Sequence, residues 1–188
     1  MQKINFIKMH GLGNDFVIID QRTSQINITK DIINKLSDRK SGVGCDQLIT
    51  INSHKEDNIE AKIEIFNPSG DKAEACGNGT RCVAKILFDE FNKKEMKILS
   101  DAGILQASKI DDLNISVNLG KVTHEWEKIP LLKNIDTLNI PIEISGFESG
   151  VAVNIGNPHI VFFRNDIKNI DLAKIGPEIE NNKLFPKK

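Results

Sequence analysis

Short runs of alternating apolar and polar residues, separated by glycine and polar breaks, set the pattern of this chain. Residues 3–9 oppose Ile4 and Phe6 to Asn5 and Lys8, which predicts a strand. Beyond Gly11 and Gly13, the apolar run Phe16 to Ile19 predicts another. Thr29 is placed to cap a helix carrying Ile32, Ile33 and Leu36 and ending near Gly42. Strands are expected at 47–51 and at 61–66, where Ile63 and Ile65 alternate with Lys62 and Glu64. The spacing turns helical from about Gly77 to Asn92, and Val83, Ala84, Ile86, Leu87 and Phe88 make that helix one buried on most sides. Further strands are expected near 96–100, 103–110 and 113–119. The stretch 120–147, with Pro130, Pro141 and Gly146, reads as a boundary or crossover. Strands return near 150–155 and 159–163, and a weak helix around 171–182 is expected to break at Gly176-Pro177. The sum is an α/β or α+β fold with a first domain over 1–120 and a second over 121–188.

One internal similarity cuts across these elements. Residues 13–19, Gly-Asn-Asp-Phe-Val-Ile-Ile, resemble 156–162, Gly-Asn-Pro-His-Ile-Val-Phe, each setting Gly-Asn beside an apolar run. A pair this short leaves both chance and a true repeat open.

Composition narrows the function classes. With 25 basic and 26 acidic residues the chain has no electrostatic footprint for nucleic acid or a membrane surface. No run approaches the ~18 apolar residues of a membrane span, and the charged start lacks the apolar core of a signal peptide, so a cytoplasmic location is expected. Cys45, Cys76 and Cys82 cannot all pair with one another, and free thiols are expected in a reducing compartment. Gly11-Leu-Gly13 follows a strand, but Phe16 stands where a dinucleotide fingerprint needs its third glycine, and no helix opens there.

The densest chemistry lies between Phe66 and Cys82, where a strand ends, a polar loop follows, and Cys76 stands just before Gly77-Asn78-Gly79. A thiol at the start of a buried helix meets unpaired N–H groups and the positive end of the helix dipole, which favour its thiolate. The glycines let a ligand approach the backbone, and the same N–H groups can hold a carboxylate. That pairing of base and anion site suits removal of a proton from a carbon next to a carboxylate. The competing reading is a structural cysteine at a glycine-rich helix start. Cys76 and Cys82 lie six residues apart on one helix, roughly 9 Å along its axis, too far for a shared zinc or a disulfide. Cys45 has no base-like neighbour and reads as a packing residue.

Four motifs occur in order and at the spacing of one family. Gly11-Leu-Gly-Asn-Asp-Phe16, Gly44-Cys-Asp-Gln47, the stretch Asn67 to Cys82 with its core Ala75-Cys-Gly-Asn-Gly-Thr-Arg-Cys82, and Gly156-Asn-Pro-His159 together resemble the diaminopimelate epimerases. The resemblance implies two pseudo-symmetric α/β domains, each a curled mixed sheet around a central helix, the second incomplete within these residues. It implies an isomerase that converts LL- to meso-diaminopimelate for lysine and peptidoglycan synthesis, with neither cofactor nor metal. Carried over by position, Asn14, Gln47, Asn67 and Asn157 bind polar groups of the substrate. Gly77 and Asn78 offer backbone donors to its α-carboxylate, Cys76 is one of two catalytic thiols, and His159 lines the site and supports the chemistry. Inversion needs two thiols because a proton leaves one face of the carbon and another arrives at the opposite face.

The family runs longer, and its second Ala-Cys-Gly and a substrate-holding Glu-Arg pair are expected beyond Lys188. If the repeat is genuine, the spacing of Asn14 to Cys76 puts the partner motif of Asn157 at about position 219. Two classes therefore stay open. One is an epimerase whose second half lies in further sequence or in a separate C-terminal fragment. The other is a non-catalytic remnant that binds a ligand or forms a homodimer. A proline racemase-like substrate is a third reading, against which Gln47 and the several asparagines suit a longer, more polar molecule.

Overall fold

The computed structural model describes residues 3–144 and 146–186, and the chain divides into two compact units, Met1–Leu119 and Gly120–Lys188. In the first unit, β1 (Ile7–Gly11) and β2 (Asn14–Asp20) form an antiparallel hairpin. Helix α1 (Lys30–Ser37) carries the chain to β3 (Gln47–Asn52), parallel to β2. Strand β4 (Ala61–Phe66) returns antiparallel, and the two-residue β5 (Lys72–Ala73) pairs with its end. Helix α2 (Gly77–Phe91) then leads to β6 (Glu95–Ser100), parallel to β4, followed by β7 (Gly103–Lys109) and β8 (Ile115–Asn118) as an antiparallel meander. The order β1-β2-β3-β4-β6-β7-β8 sets β1 and β8 at opposite edges, yet α2 packs on both. A sheet can do that only by curling around the helix.

Strand periodicity divides the core between the two helices. Phe16 and Ile18 of β2 join Ile49, Ile51, Ile63 and Ile65 under α2, against Val83, Ala84, Leu87 and Phe88. The alternate residues Val17 and Ile19 point the other way and pack with Leu48, Ile33 and Cys45 on the α1 side. Burial on both faces explains why β2 reads as an unbroken apolar run rather than an alternation. No residue of α2 from Gly77 to Phe88 is exposed, as its sequence implies. Thr29 caps α1 as expected, its Oγ1 accepting the Ile32 N–H at 3.3 Å.

In the first unit two boundaries and one short strand differ from the sequence reading. The first strand begins at Ile7 rather than at residue 3, and Ile4 instead packs beside the α1-side core. Helix α1 ends at Ser37, not near Gly42, because Asp38 leaves helical geometry and its carboxylate accepts the N–H groups of Lys40 and Ser41 at 2.8 and 2.6 Å. A side chain that can replace helical hydrogen bonds ends the helix early. The very short β5 carries too few residues to show any period.

The second unit is a three-stranded antiparallel sheet in the order β11-β10-β9, with β9 (Ile140–Ile144), β10 (Phe147–Asn154) and β11 (Pro158–Val161), followed by α3 (Leu172–Glu180). Its core gathers Ile129, Leu131, Ile140, Ile142, Phe147 and Ala152. Strand β9 lies where a crossover was expected. Pro141 argues against a strand, but β9 is an edge strand, where a missing N–H is tolerated. Helix α3 also runs through Gly176-Pro177 without the expected break. Proline there removes one backbone bond, and the helix buries none of its residues, so nothing demands a straight, tightly packed axis.

The β1–β2 turn has Leu12 at φ 55 and Gly13 at φ 88, the φ pattern of a type I′ hairpin. Leu12 is 92% exposed, so no packing offsets its left-handed backbone. Leu12→Asn should therefore raise the unfolding free energy by up to about 1 kcal/mol, asparagine being at home in that conformation. Leu87→Ala, which empties a fully buried position under the sheet, should lower it by about 2–5 kcal/mol. Urea unfolding followed by far-ultraviolet circular dichroism distinguishes the two signs.

Candidate active site

Topology gathers polar residues at one end of the first sheet. Asn14 opens β2, Gln47 opens the parallel β3, and Asn67 follows the end of the antiparallel β4. Cys76 is the N-cap of α2, in extended backbone (φ −150, ψ 104), and its Sγ accepts the Gly79 N–H at 3.4 Å. Glycine at 79 is required by the close seating of the helix: a Cβ there would stand 2.5 Å from Ile49 Cδ1 and 3.2 Å from Phe16 Cε1. Gly11 is similarly confined, since its Cβ would come within 3.1 Å of the Asn78 carbonyl. The hairpin turn and the helix start are thereby brought together.

Around the thiol, Asn14 Oδ1 lies 3.8 Å from Cys76 Sγ and accepts the Asn78 amide at 3.3 Å. Arg81, one turn on, donates to Asn78 Oδ1. The N–H groups of Gly77 and Asn78 take no partner among the described residues, so the helix start keeps two donors for an anion. Cys76 Sγ thus accepts from the Gly79 N–H and faces an acceptor, Asn14 Oδ1, on its other side. The other two cysteines are buried. Cys45 sits against Ser37 Oγ at 3.4 Å, and Cys82 lies in the α2 core, where burial pushes its thiol up to about 11.

Gln47 donates from Nε2 to Asn67 Oδ1 at 3.0 Å, and this pair makes no hydrogen bond to the Cys76 group. In the second unit, His159 Nε2 and Asn157 Oδ1 are 2.9 Å apart, and His159 borders a cavity of about 420 Å³ with Ile160, Phe162, Glu180 and Phe185. Asparagine beside glycine is commonly turn chemistry. Here the Asn67 turn is closed by backbone, with Gly70 N–H to the Asn67 carbonyl, and the Gly156 turn is served by Asn154 Oδ1. The side chains of Asn14, Asn67 and Asn157 are thus engaged with other side chains, not with their own turns.

Sequence reasoning missed the charged cluster behind Asn14. Asn14 Nδ2 donates to Asp46 Oδ2 at 2.9 Å, which also accepts the Asp15 N–H at 3.0 Å, while Asp46 N–H donates to Asp15 Oδ1. Arg39 bridges both carboxylates, at 2.7 Å to Asp15 and 2.8 Å to Asp46, and Lys8 adds a contact to Asp15 at 2.7 Å. The Arg39 guanidinium, aided by Lys8, holds the Asp15 carboxyl well below the usual carboxylate range, against the opposing effect of burial. Asp46 is lowered first by the Asn14 amide, then by the Asp15 N–H. Each aspartate stands inside one of the sequence motifs, but only the fold shows that they meet and that Arg39 joins them.

The mixed α/β fold has counterparts among solved structures. A probable proline racemase from Agrobacterium radiobacter with bound carbonate superposes at a TM-score of 0.64, with 12% identity, over 93% of this chain and 53% of that one, a likeness of fold. The family model described as Diaminopimelate epimerase matches residues 6–125. Diaminopimelate epimerase of Pelagibacter ubique is 48% identical over 190 residues, covering 98% of this chain and 68% of the relative. That of Rhodospirillum centenum is 37% identical over 183 residues, covering 97% of this chain and 63% of the relative. The chain belongs to the diaminopimelate epimerase family, an isomerase family, and spans about two thirds of the length of these curated relatives. Among the described residues no helix is long and apolar enough to cross a membrane.

Lowered carboxyls contribute stability at neutral pH that is lost as pH falls from about 4, the ordinary value of a free aspartate, through their folded values. Arg39→Met should therefore lower the melting temperature at pH 7, and the gap to the native chain should narrow below pH about 4. A gap that stays constant to pH 2.5 in differential scanning calorimetry would show that Arg39 acts through packing.

Proposed function

We propose that this chain supplies one of the two thiols that interconvert LL- and meso-diaminopimelate. The observation that carries the reading is Cys76 as N-cap of α2, with the N–H groups of Gly77 and Asn78, without partners among the described residues, beside it. A substrate α-carboxylate held by those donors sets the α-carbon against Sγ, and fixed dipoles there stabilise the charge that develops when its proton leaves. Cys76 takes a proton from, or returns one to, a single face. Neither Cys45 nor Cys82 fits the opposing role, since both are buried side chains facing packed cores. The reading places the opposing thiol in the last third of the relatives' length.

Residues 1–120 are assigned as the N-terminal epimerase domain and 121–188 as part of its C-terminal counterpart. Asn14, Gln47 and Asn67 are assigned to the substrate's polar groups, Gln47 Oε1 and Asn67 Nδ2 being left without partners among the described residues. Asn157 and His159 join them on the resemblance of Gly156-Asn-Pro-His159 alone. The protein needs no cofactor in this scheme, its partner is the small-molecule substrate, and a cytoplasmic setting fits a biosynthetic isomerase.

The test separates labelling from turnover. A diaminopimelate-like aziridine should alkylate Cys76 ahead of Cys45 and Cys82, and Cys76→Ala should abolish labelling while leaving the fold. In D₂O the 188-residue chain alone should form no meso product at an enzymatic rate, and a C-terminal fragment carrying the second Ala-Cys-Gly should restore it. Equal labelling of the three cysteines by mass spectrometry, or rapid meso product from the chain alone, would overturn the two-thiol reading.

A further inference from the structure

Four side chains form a polar line past the thiol: Asp46, Asn14, Asn78 and Arg81. Its ends are chemically unambiguous. A carboxylate only accepts and a guanidinium only donates. Asp46 must therefore face the NH₂ of Asn14, which turns Asn14 Oδ1 toward Cys76 and Asn78. From the other end, Arg81 must face Asn78 Oδ1, which turns the Asn78 NH₂ toward Asn14 Oδ1. An amide's two ends are nearly identical in shape, so such a choice is made by partners alone. Here both ends of the line demand the same choice.

We propose that Asp46 is a positioning residue for Cys76, acting through Asn14 so that an acceptor and not a donor faces the sulfur. A protonated Cys76 satisfies both of its contacts at once, donating S–H to Asn14 Oδ1 and accepting the Gly79 N–H. A thiolate would meet the oxygen's negative end. In this arrangement the Cys76 S–H is the donor and Asn14 Oδ1 the acceptor. Arg39 and the Asp15 N–H hold the Asp46 carboxylate in place for this task. The inference rests on the reading of Cys76 as a proton-transfer thiol for its purpose, but not for its measurement.

Alkylation of the full chain by iodoacetamide at pH 7.5, resolved cysteine by cysteine, reads the contact itself and needs no epimerase activity. Asp46→Leu frees the Asn14 amide to swing or turn, and Cys76 should react about tenfold faster, the size of one hydrogen bond to a charged group. Asp46→Asn can still accept from Asn14 and should restore a rate close to native. Cys45, next to Asp46 in sequence, and Cys82 should remain unreactive in both variants. Asn14→Asp, which sets a negative acceptor at the sulfur, should instead slow Cys76, and it carries the test if Asp46→Leu fails to fold. An unchanged Cys76 rate in Asp46→Leu, a faster rate in Asn14→Asp, or acceleration of all three cysteines together would overturn the proposal. The last would assign Asp46 a merely structural role. If the rates behave as expected and the restored enzyme still fails to epimerise diaminopimelate, the functional reading fails and the positioning role stands.

Discussion

The first turn of α2 lies directly on β2 and β3, with only the missing side chain of Gly79 between the helix backbone and Ile49 and Phe16. That seating governs much else. It lets an apolar helix fill a sheet that curls around it from β1 to β8, and it fixes where the helix starts relative to the strand ends. Dense packing of this kind leaves few alternative positions for the backbone. The consequence at the site is that Cys76 stands where a capping residue must stand, with its sulfur in place of the usual hydroxyl or carboxylate oxygen. Burial of the helix and placement of the thiol are one event.

Around this apolar anchor the polar residues have little freedom of their own. Gly11 lets the β1–β2 turn approach the Asn78 carbonyl, so Asn14 reaches the thiol from a hairpin rather than from a loose loop. Two aspartates brought as close as Asp15 and Asp46 would repel each other. Arg39 and their mutual backbone donors relieve that and make the pair a rigid mount for the Asn14 amide. Each of these ion pairs is partly exposed, so solvent screening limits what it adds to stability. Their value lies in orientation, because a side-chain amide has no preference of its own between its two ends.

The second unit follows the same grammar with different means. Gly156, at φ 109, opens the turn into β11 much as Gly13 opens the turn into β2, and Asn157 follows it as Asn14 follows Gly13. The similarity of residues 13–19 and 156–162 is therefore a similarity of local structure, both being glycine-asparagine entries to the second strand of a hairpin. Residues of β9 and β10 build its core on one face, and Phe147 stacks edge-on to Phe162 at 5.0 Å, with Arg164 against its ring.

Much was legible in the sequence because it depends on local chemistry and pattern. The strand from Phe16 to Ile19, the capping of α1 by Thr29 and the buried helix after Cys76 follow from residues within a few positions of one another, and the family from four such motifs in order along the chain. Helix α1 stopped early and β9 formed around Pro141 for reasons that involve neighbours: a competing Asp38 carboxylate in the first case, and an edge position in the second. The candidate site divides along the same line. Sequence alone named Cys76, Gly77, Asn78 and the asparagines. Only the tertiary structure brought Asp46 to Asn14 across 32 residues and Asn14 to Cys76 across 62. No local pattern records which end of an amide will face a sulfur, because that is decided by charged partners that the curled sheet delivers from elsewhere in the chain.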